Sequence, residues 1–393
     1  MITSDENSFK LQRTSSLKER DVRHVRIDDV KYLYEIFEFK EEIGHGTFGI
    51  VVSAIEKQTN AQYAIKIVNK YSAGAAKLKE TQREIKILKS VLHPNIILLE
   101  KVFESTKKIY MVFERCRETL FCKYNLFKPF TEKISRKIMR QLVGAVYYLH
   151  KHDIVHRDIK MENILLADNI DDPSDEYFIK LTDFGLSIIK SGYGIQSMLS
   201  DRVGTIIYMS PEILRSRTYS ELCDVWAIGV ILFMLLFGRY PFYAKNDEHL
   251  VQKICDTEPE YSVSQVNSDC IDLLKSTLLK DPVKRITALE ILKHPWLVDN
   301  KMKSRKDETI IDYMKKWRSE MMLPGEESDW ISAILDINVP EISTLHSPTN
   351  INGRVSQTSI GFLSQYSNLT SAVSSIAKPP SVFTLTKDQP KEK

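Results

Sequence analysis

The apolar pattern of this chain changes period part-way along, and that change narrows the folds open to it more than any other feature. From Glu35 to Glu114 the runs are short, β-branched and aromatic: FEFKEEI, IVVSAI, QYAIKIV, NIILLEKVF and IYMVF. Such runs predict strands. One helix-like segment interrupts them, Ala75 to Val91, with Leu78, Ile85 and Leu88 on one face. From about Thr131 the apolar residues recur at helical spacing instead, as in Ile134, Ile138, Leu142, Ala145 and Leu149. A mainly-strand piece followed by a mainly-helical piece predicts an α+β unit of two lobes with a ligand cleft between them.

That unit is expected over residues 35–297. The flanks read differently. Residues 1–34 form a polar, basic segment expected to be disordered, residues 298–340 a helical extension, and residues 341–393 a Ser/Thr-rich disordered tail. In 393 residues the formal charge is only +3, which gives no warrant for nucleic-acid binding. The longest apolar run, Val225 to Phe237, is too short to span a bilayer and suits a buried helix. No secretory signal opens the chain, so a cytoplasmic location is expected, with nuclear access open. The five cysteines are odd in number and lack CxxC spacing, which predicts buried or half-buried reduced thiols in place of a zinc site or disulfides.

Within the strand-rich part, Gly44-His45-Gly46-Thr47-Phe48-Gly49-Ile50-Val51 fits G-x-G-x-x-G-x-V. Glycines at these positions let backbone pass close over phosphates. A strand enters and another leaves with no helix directly after, which predicts a glycine-rich hairpin and argues against a Rossmann or Walker loop. Lys66 lies in the apolar strand Tyr63-Ala64-Ile65-Lys66, and alternation turns it away from Ile65 and Ile67, toward the cleft if those two are core. Glu84 on the following helix is its expected charge partner.

Further along, His156-Arg157-Asp158-Ile159-Lys160-Met161-Glu162-Asn163 precedes Asp183-Phe184-Gly185, with strand-like residues on both sides of the interval. Phosphoryl transfer needs these types. Asp158 can accept or orient a hydroxyl proton. Asp183 and the amide oxygen of Asn163 can hold Mg²⁺, a hard ion that takes oxygen ligands, and Lys160 can offset charge on a phosphoryl group.

These motifs, in this order, resemble the eukaryotic protein kinases over about two-thirds of the chain. The resemblance implies a small antiparallel-sheet lobe with one helix, a larger helical lobe, and ATP with Mg²⁺ in the cleft. Its ATP site would take in Ile43, Gly44, Gly46, Gly49, Glu114 and Cys116, with Val51, Ala64 and Leu165 around adenine and Phe113 behind it. Leu88, Leu99, Phe184 and His156 match the side chains that stack between lobes. Glu212 of Ser210-Pro211-Glu212 is expected to pair with Arg285, and the helix starting at Asp224 to anchor the catalytic loop. Lys160 after Asp158 resembles the serine/threonine class, and His294-Pro295-Trp296 the calcium/calmodulin-dependent group. The hinge, Glu114 to Leu120, is one residue shorter than in that family, so either Glu118 or Thr119 could face the ribose. Ile206 stands where that group carries proline, which bears on the pocket for the residue after the phosphorylated one.

Regulation is also open to reading. Thr205 closes an activation loop in which Asp201 occupies the usual acceptor position, either as a fixed charge for Arg157 or as a solvated loop residue. Ser197 and Ser200 are the alternative phosphosites. The segment Asp307 to Met322 has Ile310, Met314, Trp317 and Met321 on one face. Its acidic residues offset its basic ones, which favours a packed helix over a calmodulin target. Substrates are expected to be protein Ser/Thr with Arg at −3, greeted by Glu162, and Ser16 in Leu11-Gln12-Arg13-Thr14-Ser15-Ser16 is a candidate autophosphorylation site.

Overall fold

The computed structural model describes residues 19–46, 49–190, 205–215, 220–261 and 266–298. The expected tail 341–393, the helix Asp307–Met322 and Ser16 lie outside the described residues.

The small lobe is built from β1 (Arg23–Arg26), α1 (Lys31–Ile36), β2 (Phe37–Gly46), β3 (Gly49–Glu56), β4 (Gln62–Asn69), α2 (Lys70–Ser90), β5 (Leu99–Glu104) and β6 (Lys108–Glu114). Among the described residues its six strands form one sheet in the order β1-β5-β6-β4-β3-β2. Neighbours are antiparallel except β1, which runs parallel to β5. Period-two alternation gives the sheet its apolar face, where Phe37, Ala54, Ile65 and Val112 are buried together. Asn69 caps α2 by accepting from Tyr71 N at 3.0 Å. The helix expected from Ala75 is present, and a short helical stretch from Lys70 precedes it across a break at Gly74, whose φ of 73° only glycine adopts readily.

Order over residues 19–34 corrects the expectation for that part of the N-terminal segment. Where that segment is described, from residue 19, it forms β1 and α1. β1 gains a backbone ladder on the open edge of β5, and Val22, Ile27 and Leu33 are buried around it. A few apolar anchors and an available strand edge are enough to order an otherwise polar stretch.

The large lobe contains β7 (Glu118–Thr119), α3 (Leu120–Phe127), α4 (Glu132–Lys151), β8 (Ile154–Val155), β9 (Ile164–Leu166), β10 (Ile179–Leu181) and β11 (Ile188–Ile189), then α5 (Pro211–Leu214), α6 (Leu222–Phe237), α7 (Asp247–Asp256), α8 (Ser268–Thr277), α9 (Ala288–Lys293) and α10 (Pro295–Val298). Thr131 caps α4 through Ile134 N, and Ile138, Leu142, Ala145 and Leu149 bury its apolar stripe. α6 is apolar almost all round and lies in the centre of the lobe. Gly229 lets it approach α8: a Cβ there would stand 2.6 Å from Thr277 Oγ1. Among the described residues no helix is long and apolar enough to cross a membrane. All five cysteines are free thiols, and four are buried. Cys122 departs from the expectation, being exposed on the first turn of α3.

Candidate active site

Strand alternation in β4 sends Ile65 into the small-lobe core and Lys66 to the opposite face, where it pairs in register with Val51 and Met111. Glu84, from the middle of α2, is buried and meets it there. Lys66 Nζ donates to both Glu84 oxygens at 2.8 Å and lies 3.9 Å from Asp183 Oδ1. Burial works against the ammonium, but Glu84 and Asp183 outweigh it and push Lys66 up to about 12. Burial also pushes the Glu84 carboxyl up, against the pull of Lys66. With both its oxygens accepting from one ammonium, the pair is held in its ionic form.

Asp183 follows the β9–β10 hairpin with φ at 64°, a left-handed conformation that few non-glycine residues take up. That backbone aims its carboxylate at Lys66, while Gly185 N donates to it at 3.4 Å. Burial raises this carboxyl, yet Lys66 and His156 prevail and hold it below the ordinary aspartate range. The next side chain, Phe184, is fully buried edge-on against His156, ring centres 4.8 Å apart. Leu88 and Leu99 are buried in the same core as Phe184, so three of the four expected interlobe residues share one apolar cluster, and His156 is buried against Phe184.

The loop from His156 to Asn163 is fixed from below. Asp224, at the start of α6, accepts from His156 N at 2.9 Å and Arg157 N at 2.8 Å, and its Oδ2 lies 2.9 Å from His150 Nε2. Arg157 is left-handed too, with φ at 70°. Above this anchor Asp158 Oδ2 accepts from Lys160 Nζ at 2.7 Å and from Asn163 Nδ2 at 3.0 Å. Asn163 Nδ2 also donates to the Asp158 carbonyl at 2.9 Å. Lys160 Nζ reaches Thr205 Oγ1 at 3.3 Å, tying Thr205 to the same loop.

Gly44 and Gly46 in β2 face Val51 and Gly49 in β3, which makes the glycine-rich element a hairpin. A Cβ on Gly49 would lie 2.2 Å from Ile67 O, so the close strand approach requires glycine. Ile43 is exposed on β2, while Val51, Ala64 and Leu165 are half-buried. The Glu114 side chain turns away from the cleft: Oε1 accepts from Leu98 N at 2.7 Å and Oε2 lies 3.0 Å from Lys180 Nζ. Lys180, a buried cation in β10, was not singled out from the sequence. A lysine in the middle of the apolar run Phe178 to Leu181 was its only signal. Cys116 is buried, which pushes its thiol up to about 12, and its carbonyl accepts from Arg115 Nη1 at 2.5 Å. Thr119 caps α3 by accepting from Cys122 N at 3.1 Å. Glu212 and Arg285 meet as a buried two-pronged pair at 2.6 and 2.9 Å. Ser197, Ser200 and Asp201 lie outside the described residues.

Comparison with known proteins agrees with this geometry. Residues 37–297 match the family described as Protein kinase domain. The chain is 38% identical over 367 residues to Serine/threonine-protein kinase 33 of Mus musculus, covering 91% of this chain and 74% of that protein. Its identity to the Bos taurus protein of the same name is 42% over 307 residues, or 77% of this chain and 63% of that one. Myosin light chain kinase A of Dictyostelium discoideum is 37% identical over 270 residues, 68% of this chain and 89% of that protein.

Proposed function

The chain belongs to the protein kinase family and is a serine/threonine kinase, and from that premise we propose how its residues divide the transfer of the γ-phosphoryl group of MgATP to a protein hydroxyl. The observation that carries the assignment is the convergence of Lys66, Glu84 and Asp183 on one point of the cleft. Lys66, kept cationic and immobile by Glu84, binds and orients the α and β phosphates. The donor set suits Mg²⁺: Asp183 stays ionised, and Asn163 spends its NH₂ on Asp158, which leaves its amide oxygen for a metal. Bound there, the metal neutralises charge on the triphosphate.

Both hydrogen bonds to the Asp158 carboxylate fall on Oδ2. Oδ1 is therefore the atom to accept from an incoming Ser or Thr hydroxyl and hold its proton. Lys160, bonded to that same carboxylate, is placed to offset negative charge on the group in flight. Burial of Glu162 pushes its carboxyl up, so a substrate arginine beside it would restore a favourable ion pair. This supports a preference for Arg in the substrate, with −3 as the position to test and Ser16 as a site of autophosphorylation. Calmodulin is not expected to bind, because the segment 307–322 balances its charges. Five free thiols suit a reducing compartment, which supports a cytoplasmic location.

The test is transfer from labelled ATP to a peptide library, with and without Mg²⁺, using Lys66→Met as the control. Incorporation on Ser/Thr peptides with a basic residue at −3, absent in the variant, is expected. Transfer that persists in Lys66→Met would overturn the assignment.

A further inference from the structure

α2 carries Glu84, and a helix ends with backbone carbonyls that have no helical partner. Here those carbonyls are met from the N-terminal end of the chain. Arg20 N donates to Lys89 O at 2.7 Å, and Arg20 Nη2 donates to Leu88 O at 2.8 Å and Leu99 O at 3.3 Å. A cation is favourable at a helix C-terminus. Leu88 sits one turn beyond Glu84, and Leu88 and Leu99 are the small-lobe members of the interlobe cluster. One guanidinium thus ties the helix that bears Glu84 to the strand beside it.

The same segment also reaches the short helical stretch before Gly74. His24 Nε2 lies 3.0 Å from Glu104 Oε2, while Glu104 Oε1 accepts from Lys70 Nζ at 2.6 Å, and Lys70 opens that stretch. Between these two contacts Val22 is buried in the main core; β1 pairs with β5, and beyond it Ile27 N donates to Glu104 O at 2.9 Å. The segment is thus held by a buried side chain, a strand ladder and backbone hydrogen bonds.

We propose that residues 20–27 form a built-in brace on α2, in which Arg20 is a positioning residue that holds Glu84 on Lys66. The brace acts on the phosphate-binding pair and so rests on the phosphotransfer reading. Arg20 touches no reacting atom. Its effect passes through the last turn of α2, and a cation at that place adds a control on activity that lies outside the family's matched domain.

The experiment uses the full chain and a basic peptide substrate, comparing wild type with Arg20→Ala, Arg20→Lys, Glu84→Gln and the double variant Arg20→Ala/Glu84→Gln. Arg20→Ala is expected to lower kcat about ten-fold, the scale of one charge-assisted hydrogen bond, with partial recovery in Arg20→Lys. Added to Glu84→Gln, it should cost less than about two-fold more, because both changes act through one contact. Amide exchange across residues 80–90 should quicken in Arg20→Ala while β8 and β9 stay as protected as in wild type. Losses that multiply in the double variant, or a wild-type rate in Arg20→Ala, would overturn the brace. If Arg20→Ala does not fold, exchange in Arg20→Lys decides: unchanged protection of α2 rejects the proposal. Should the wild type itself transfer nothing, the phosphotransfer reading fails on its own, and exchange alone then judges the brace.

Discussion

Asp158 has one carboxylate oxygen committed to Lys160 and Asn163, and its backbone is held by Asp224 through the two preceding residues. An amide at this position keeps the shape and removes the proton acceptor. Asp158→Asn should lower kcat by about 10²-fold or more, the scale of a positioned acid–base group, with a much smaller change in the KM for ATP. Steady-state assays with varied ATP measure both. Glu212 makes a different kind of case, since it lies away from the cleft and is fully enclosed with Arg285. Glu212→Ala would leave a buried guanidinium with its charge unmatched, at a cost of about 3–5 kcal/mol. A denaturant midpoint unchanged from wild type would show that Arg285 finds another partner. Asp201 supplies the third test at this scale. If it is a fixed charge for Arg157, Asp201→Ala loses activity in phosphatase-treated protein; full activity there rejects the role. That Lys66 meets Glu84 and Asp183, and that Asp158 stands beside Lys160 and Asn163, was legible from sequence because each lies in a short motif of distinctive residue types. Lys180 and Thr205 were not legible in the contacts they make, because those contacts exist only after the chain has folded.

Elements are specified by pattern, and the pattern is clear only where packing is one-sided. α4 and α6 could be read from spacing and apolar length because each buries a continuous surface. β1 could not. Arg23, His24 and Arg26 are exposed, Val25 is half-buried, and the strand is held chiefly by its ladder with β5. The short helical stretch from Lys70 was hidden as well, since Gly74 separates it from the helix expected from Ala75 with a conformation outside the helical range. The glycine-rich hairpin gives a test of backbone approach. In Gly49→Ala the new methyl would press on Ile67 O, a backbone atom that cannot move without parting β3 from β4. Overpacking of this kind costs about 1–3 kcal/mol. Thermal melting should show the loss, and ATP binding should weaken with it because the strand bearing Lys66 is the one displaced.

At the scale of the whole molecule, folding encloses histidines that the unfolded chain exposes, and this sets an acid limit on stability. His93, buried between α2 and β5 against Tyr148 with ring centres 5.2 Å apart, is the strongest case. Its Nδ1 accepts from Asn95 N at 3.0 Å, so protonation would both bury a charge and break that bond. Burial, with Lys180 nearby, lowers its pKa from 6.5 to about 3. A base depressed in the folded state binds its proton first in the unfolded state. The stability it contributes is therefore complete above pH 6.5 and is lost as pH falls toward 3, by about 1.4 kcal/mol per pH unit. Asp183 and Asp224, both held below the ordinary aspartate value of 3.8, add their own losses only below that pH. Denaturant midpoints measured at pH 6.5 and 4.5 separate the two groups. His93→Gln keeps an acceptor for Asn95 but has nothing to titrate, so its stability should fall less across that interval than the wild type's, by about 2–3 kcal/mol. Equal falls in the two proteins would mean that His93 takes up its proton without unfolding.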